Sequence, residues 1–205
     1  MTLHLGRKPI ARRPFTKDFS RMKIAISGCA GIGKTTLMQA LAAELKTTTL
    51  DEHYSALFSP TGTFNSEPEK LVPLFIQVLD QKHALQDQAG EFVVDRAGID
   101  LLNLWMARGL SQFEEATQYM VNQSRQYLQR YDLVVFPPWG AIPLVPHDNT
   151  DGRVRVQDPW VQLRNHAAIL GFARLWLQPE KLLCLPESAT TVEQRVALVQ
   201  QAFKQ

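Results

Sequence analysis

Residues Gly28 to Thr35 read Gly-Cys-Ala-Gly-Ile-Gly-Lys-Thr, and no other stretch limits the fold as sharply. They match G-x-x-x-x-G-K-[ST] without a mismatch. The apolar run Lys23-Ile24-Ala25-Ile26-Ser27 precedes them, and a helix-like stretch from Thr36 to Lys46 follows. Strand, loop and helix in that order give the pattern its physical meaning. Glycines let the backbone curl so that N–H groups point inward at phosphate oxygens, and the positive end of the next helix adds to their field. The expected cradle for a nucleoside triphosphate is therefore Gly28, Cys29, Ala30, Gly31, Ile32, Gly33, Lys34, Thr35 and Thr36. Lys34 is expected to reach the β- and γ-phosphates, and the Thr35 hydroxyl to face a Mg²⁺ ion. The plainer alternative is a Gly-rich strand-to-helix turn with no ligand.

A chain of 205 residues has room for one α/β domain with a substantial core and hardly for two. Its 45% hydrophobic and 20% charged content is ordinary for a globular protein. The two cysteines, Cys29 and Cys184, make no disulfide or metal framework by spacing. Cys29 reads as a buried, neutral residue of the loop, and a reducing cytoplasm is the expected location. No apolar run approaches the ~20 residues needed to cross a bilayer. The net charge of +2 conceals a basic start: residues 1–23 carry +6 and the remainder −4. Such an arm suits contact with nucleic acid or an acidic membrane surface. The preferred reading is blander. Met22-Lys23-Ile24-Ala25-Ile26 is a natural beginning for such a domain, so residues 1–21 form an extension and 22–205 the domain.

Further elements follow from periodicity and breakers. Thr47–Leu50 reads as a short strand ending at Asp51-Glu52, and residues 55–66 as a loop. A helix begins at Pro68, with Leu71, Leu74, Phe75, Val78, Leu79, Lys82 and Leu85 on its inner side up to about Gln88. Glu91–Asp95 reads as a buried strand closing on a carboxylate. Helices are expected over Ile99–Ala107 and Ser111–Arg130, with Gly109 between them, and a strand over Asp132–Phe136. Four prolines and two glycines make residues 137–152 irregular, and a lid is placed near 137–165. A helix over Pro159–Leu177, a strand over Lys181–Leu185 and a helix over Thr191–Ala202 close the chain. This alternation implies a parallel sheet covered on both faces, with ligands at the carboxyl ends of its strands.

Chemistry-bearing residues fall at those ends. Asp95 can organise Mg²⁺ through water or take a proton from an attacking hydroxyl; capping the next helix is its alternative use. Arg96 can pair with a phosphate or with substrate. Asp100 suits a cap, an orienting residue or a substrate contact. Glu52, beside Asp51, can contact a ribose or base hydroxyl, or form a polar turn. His53 and Tyr54 can stack on a ligand. Arg153, Arg155 and Arg164 follow the Pro-rich segment, where cations on a lid would stabilise a transferring phosphoryl group. The even alternative is an ordinary solvated helix start.

The strand-ending Asp95-Arg96-Ala97-Gly98-Ile99-Asp100 resembles the DR-type motif of thymidylate kinases and deoxynucleoside kinases. Over about residues 22–203 the chain more closely resembles the P-loop family that includes the ribosylnicotinamide kinase domain of bacterial NAD regulators. Besides the loop, the likeness rests on Glu52, Tyr131-Asp132-Leu133-Val134, and Asp151-Gly152-Arg153 leading to Asp158-Pro159. It implies a three-layer P-loop NTPase fold with a five-stranded parallel sheet, of the nucleoside/nucleotide kinase type. It further implies ATP on the loop, a catalytic or metal-organising Asp95, and Arg153 on the lid. Those ribosylnicotinamide kinases carry Glu-Tyr-x-Arg after strand two, whereas this chain has Glu52-His53-Tyr54-Ser55, so substrate identity does not carry over.

The expectation is a small-molecule kinase. Mg²⁺ and ATP are its cofactors, Thr35 and Asp95 face the metal, and Asp95, Arg96, Lys34 and Arg153 are catalytic. Glu52, Asp100 and Arg155 contact a nucleoside- or nucleotide-like acceptor. Neither membrane nor nucleic acid is an expected partner, and a homodimer is compatible. The alternative is a regulatory switch that hydrolyses ATP or GTP slowly and acts through another protein.

Overall fold

Alternation along three short strands builds two cores, one on each face of a single sheet. The protein was studied as a computed structural model that describes residues 22–50, 67–142 and 158–204. In chain order the elements are β1 (Lys23–Ile26), α1 (Lys34–Leu45), β2 (Thr48–Leu50), α2 (Pro68–Gln88), β3 (Phe92–Asp95), α3 (Gly98–Ala107), α4 (Glu114–Leu128), β4 (Leu133–Phe136), α5 (Pro159–Trp176), β5 (Leu182–Cys184) and α6 (Val192–Lys204). The strands lie side by side as β2-β3-β1-β4-β5, and every pairing is parallel.

Successive side chains of a strand point to opposite faces. Ile24 and Ile26 of β1, Val93 of β3 and Leu133 and Val135 of β4 therefore meet Leu37, Met38 and Leu41 of α1 and Val196 and Val199 of α6. Ala25, Phe92, Val94, Val134 and Phe136 point the other way, onto Ile99 of α3, Leu128 of α4 and Ile169 and Ala173 of α5. Burying each Val, Ile, Leu or Phe contributes about 1.5–3 kcal/mol. The result is the expected three-layer α/β fold with a five-stranded parallel sheet. A third cluster joins Leu71, Phe75 and Leu79 of α2 to Leu101, Leu102 and Trp105 of α3 and Met120 of α4.

Four details depart from the periodic reading. The stripe of α2 includes a buried Lys82 as expected but does not end on Leu85, which is 50% exposed; His83 and Gln86 are buried instead. Gln86 can be buried because its Oε1 accepts a hydrogen bond from the Tyr131 hydroxyl at 3.0 Å. The helix expected from Ser111 is divided: a 3-10 turn covers Leu110–Gln112, and α4 begins at Glu114 after a non-helical Phe113. Another 3-10 turn, Pro179–Lys181, precedes β5. The helix expected from Thr191 begins one residue later, where a capping box fixes it. There Thr191 Oγ1 accepts from the Gln194 N–H, and Gln194 Oε1 accepts from the Thr190 and Thr191 N–H groups.

Among the described residues no helix is long and apolar enough to cross a membrane.

Candidate functional site

β1 is the middle strand, so the loop leaving it opens over the centre of the sheet's carboxyl edge. Gly28 has φ +127° and Gly33 φ +80°, conformations that side chains with a Cβ rarely adopt. Gly28 is also tightly enclosed. A Cβ there would lie 2.8 Å from Ile32 Cδ1 and 3.0 Å from His166 Nδ1.

The loop is held by its edges. The Gly28 N–H donates to Asp100 Oδ1 at 3.1 Å. The Cys29 carbonyl accepts from Lys34 Nζ at 2.5 Å, and the Ile32 carbonyl from Arg195 Nη1 at 2.8 Å. Lys34 and Arg195 thus occupy two of the loop's carbonyls. Among the described residues, none of the N–H groups from Cys29 to Gly33 makes a backbone hydrogen bond. Such a run of free amides at the start of α1 is a nest for anionic oxygens. Burial, followed by the nearby Arg96, pushes the Lys34 ammonium down to about 8, against the pull of Asp95 and Asp100. Burial drives the Cys29 thiol up to about 11, so it is a packing group here and no nucleophile.

Asp95 stands next to this nest. Its Oδ2 accepts from the Thr35 hydroxyl at 2.5 Å. Its Oδ1 is buried without a hydrogen-bond partner. A buried carboxylate oxygen left unmatched at a site is costly, and a cation or a ligand proton would satisfy it. The residue does not cap α3. That role falls to Asp100, whose Oδ2 accepts from the Ala97 N–H at 3.0 Å while its Oδ1 accepts from Gly28. Both Asp100 oxygens are thus committed to main-chain groups, and burial raises its pKa against the influence of Arg96 and Lys34. Its carboxylate thus links the Gly28 and Ala97 N–H groups. Arg96 lies 3.7 Å from Asp100 through Nη1.

Glu52, Arg153 and Arg155, with Asp51, His53, Tyr54 and residues 1–21, lie outside the described residues, as does 143–157 of the expected lid. Arg164 is described and faces solvent on α5. The buried side of α5 presents Gln162 and His166 instead.

His166, Arg195 and Lys82 were not legible as site residues. His166 has a buried Nδ1 without a hydrogen-bond partner beside Gly28. Burial and the proximity of Lys34 lower its pKa. Arg195 is 1% exposed, and besides Ile32 it holds the Ala189 carbonyl at 2.8 Å through Nε. The available signal was a charged residue on each apolar helix stripe, which burial without pairing makes expensive.

Fold and loop together match a P-loop, kinase-like topology. The chain belongs to the family described as AAA domain, which matches residues 23–175. No curated protein matches it in sequence. Several solved structures share the fold. A NadR protein in complex with NR superposes with TM-score 0.62 at 16% identity, covering 90% of this chain and 52% of the other. Deoxyadenosine kinase from M. mycoides gives 0.63 at 14%, covering 88% and 97%. Thymidylate kinase from Candida albicans gives 0.61 at 13%, covering 88% and 90%. This chain thus spans about half of the NadR protein.

Proposed function

We propose that this protein is an ATP-dependent phosphotransferase that moves the γ-phosphoryl group to a hydroxyl or phosphate of a nucleoside- or nucleotide-like acceptor. The observation that carries the proposal is the pairing of free loop amides with an unmatched Asp95 oxygen beside them. Amides and the α1 terminus bind the phosphates through their partial positive charge. Lys34 exchanges the Cys29 carbonyl for phosphate oxygens, which are stronger acceptors.

Magnesium fits the donors present. Thr35 Oγ1 and Asp95, adjacent through their own hydrogen bond, would supply hard oxygens to hold it. When bound, the ion neutralises charge on the phosphates. Asp95 is also the group that can orient or deprotonate an acceptor hydroxyl, and Arg96 beside it faces an anionic acceptor or the transferring group. Related folds support an acceptor of this class: the NadR protein is seen with NAD and AMP-PNP, and the deoxyadenosine kinase with dCMP and dCDP as products. Expected contributions of Glu52, Arg153 and Arg155 belong to the same proposal.

The test is incubation with Mg²⁺, ATP and a panel of nucleosides, nucleotides and vitamins, reading phosphorylated product by mass. Acceptor-dependent consumption of ATP is expected. Water as the sole acceptor throughout would reject transfer in favour of the hydrolytic switch.

A further inference from the structure

Arg96 has a left-handed backbone with φ +76°, an unfavourable conformation for a residue with a Cβ. It persists only where the surroundings over-determine it, and such residues cluster at functional sites. Three fixings do so here. The Arg96 N–H donates to the Ile26 carbonyl at 2.8 Å, extending the β1–β3 ladder one residue beyond β3. The next N–H, that of Ala97, is shared by Asp100 Oδ2 at 3.0 Å and Ser27 Oγ at 3.2 Å. The Arg96 carbonyl accepts from Lys82 Nζ at 2.7 Å.

That third bond comes from an odd place. Lys82 continues the buried stripe of Leu71, Phe75 and Leu79 on α2, where an apolar side chain packs without penalty. Burial pushes its ammonium down to about 7, with Asp100 and Asp95 favouring the charge and Arg96 opposing it. Asp95 and Arg96 face it from the end of β3, Asp100 from α3, and His83 is its neighbour on α2. A buried charge of this kind is a poor device for stability. Its value lies in what it holds.

We propose that Lys82 is a positioning residue: by holding the Arg96 carbonyl it fixes the left-handed turn that aims Asp95 and Arg96 at the acceptor. Its catalytic consequence rests on the phosphotransfer reading; its conformational consequence does not. Without the ammonium, the Arg96 carbonyl loses its buried donor, and the N–H bonds on either side are expected not to hold the strained turn, so that the two side chains lose their shared aim. The phosphate loop is untouched, since Gly28 hangs on Asp100.

Full-length wild type, Lys82→Met and Lys82→Arg are compared by crystallography, thermal unfolding and steady-state kinetics with an acceptor found active. In Lys82→Met, Arg96 is expected to leave the left-handed region while the melting temperature holds or rises. Its kcat should fall about 10- to 100-fold, as for loss of one charge-assisted hydrogen bond, with KM for ATP held within about twofold. Lys82→Arg should keep the turn and recover most of kcat. An Arg96 φ still near +76° in Lys82→Met overturns the proposal, and so does an unchanged kcat. A lowered melting temperature with no recovery by arginine, the mark of a merely structural residue, also overturns it. If the wild type transfers to no acceptor, the phosphotransfer reading fails alone, and the Arg96 conformation in Lys82→Met decides the positioning role.

Discussion

The two sides of the candidate site are made by different means. The loop side is a contiguous stretch, Gly28 to Thr35, whose working groups are main-chain amides. The other side is made of side chains from separate elements: Asp95 and Arg96 at the end of β3, Lys82 on α2, Asp100 on α3. Backbone amides need only a local conformation, which glycines at φ +127° and +80° supply. Side chains from three elements need the packed core to bring them together. Asp100 belongs to both sides, tying the Gly28 and Ala97 N–H groups to one carboxylate. The difference teaches that binding of the donor and transfer to the acceptor should separate under mutation.

The largest separation is expected at Asp95. Asp95→Asn keeps an oxygen for the Thr35 hydroxyl but removes the charge, so nucleotide affinity should hold. Transfer should fall by about 10²- to 10⁴-fold, the usual contribution of a positioned acid or base. Isothermal titration with an ATP analogue and single-turnover transfer measure the two quantities. Equal losses in both would erase the distinction between the sides.

Arg195 tests the other side. Its guanidinium holds the Ile32 and Ala189 carbonyls, and a Cβ on Gly33 would lie 3.1 Å from its Nη1. Arg195→Met leaves both carbonyls without their donor and lets the loop relax. ATP affinity should weaken about tenfold, close to the loss of one charge-assisted bond, with kcat at saturating ATP nearly unchanged. A fall in kcat with intact affinity would break the comparison from the opposite direction.

Legibility in the sequence follows the same division. The sheet was readable because Lys23–Ile26, Phe92–Asp95 and Leu133–Phe136 are short apolar runs that end at polar or Pro-rich breaks. The loop was readable because its chemistry lies in consecutive residues. Asp95 was readable as a strand-end acid, but the division of labour with Asp100 was not. Which carboxylate caps α3 depends on the left-handed Arg96 between them, and no local pattern encodes that turn. Lys82 was counted with the apolar stripe by spacing alone. His166 sits 138 positions beyond Gly28 and Arg195 163 beyond Ile32, so only the parallel topology reveals them. Arg164 was grouped with Arg153 and Arg155 by proximity in sequence, and the helix turns it to solvent.

A smaller effect concerns α2 outside the candidate site. The His83 ring stacks on Tyr127 with centroids 3.4 Å apart, and both its nitrogens are buried without hydrogen-bond partners. Burial, then the Lys82 charge, depresses its pKa to about 3. The unfolded chain therefore takes up the proton first on acidification. The stability that neutral His83 supplies is whole above about pH 6.5 and is lost as pH falls from there towards 3, at about 1.4 kcal/mol per pH unit. His83→Phe keeps a ring on Tyr127 and should flatten that part of the acid limb in urea unfolding at pH 4–7. An unchanged slope would mean that His83 becomes protonated in the folded protein without penalty.

The smallest effect is expected at Arg164, and it sharpens the comparison most cheaply. Its neighbours on the inner face of α5 are Gln162 and His166, two residues to either side, so the helix presents Arg164 outward. A solvated arginine there has water and salt to screen it, and its removal should change stability by no more than about 0.5 kcal/mol. Arg164→Ala should also leave transfer unchanged, because no described contact links it to the loop or to Asp95. A clear loss of kcat in this variant would place α5's outer face in the reaction. The acceptor side would then extend beyond the side chains that the sheet and its helices hold together.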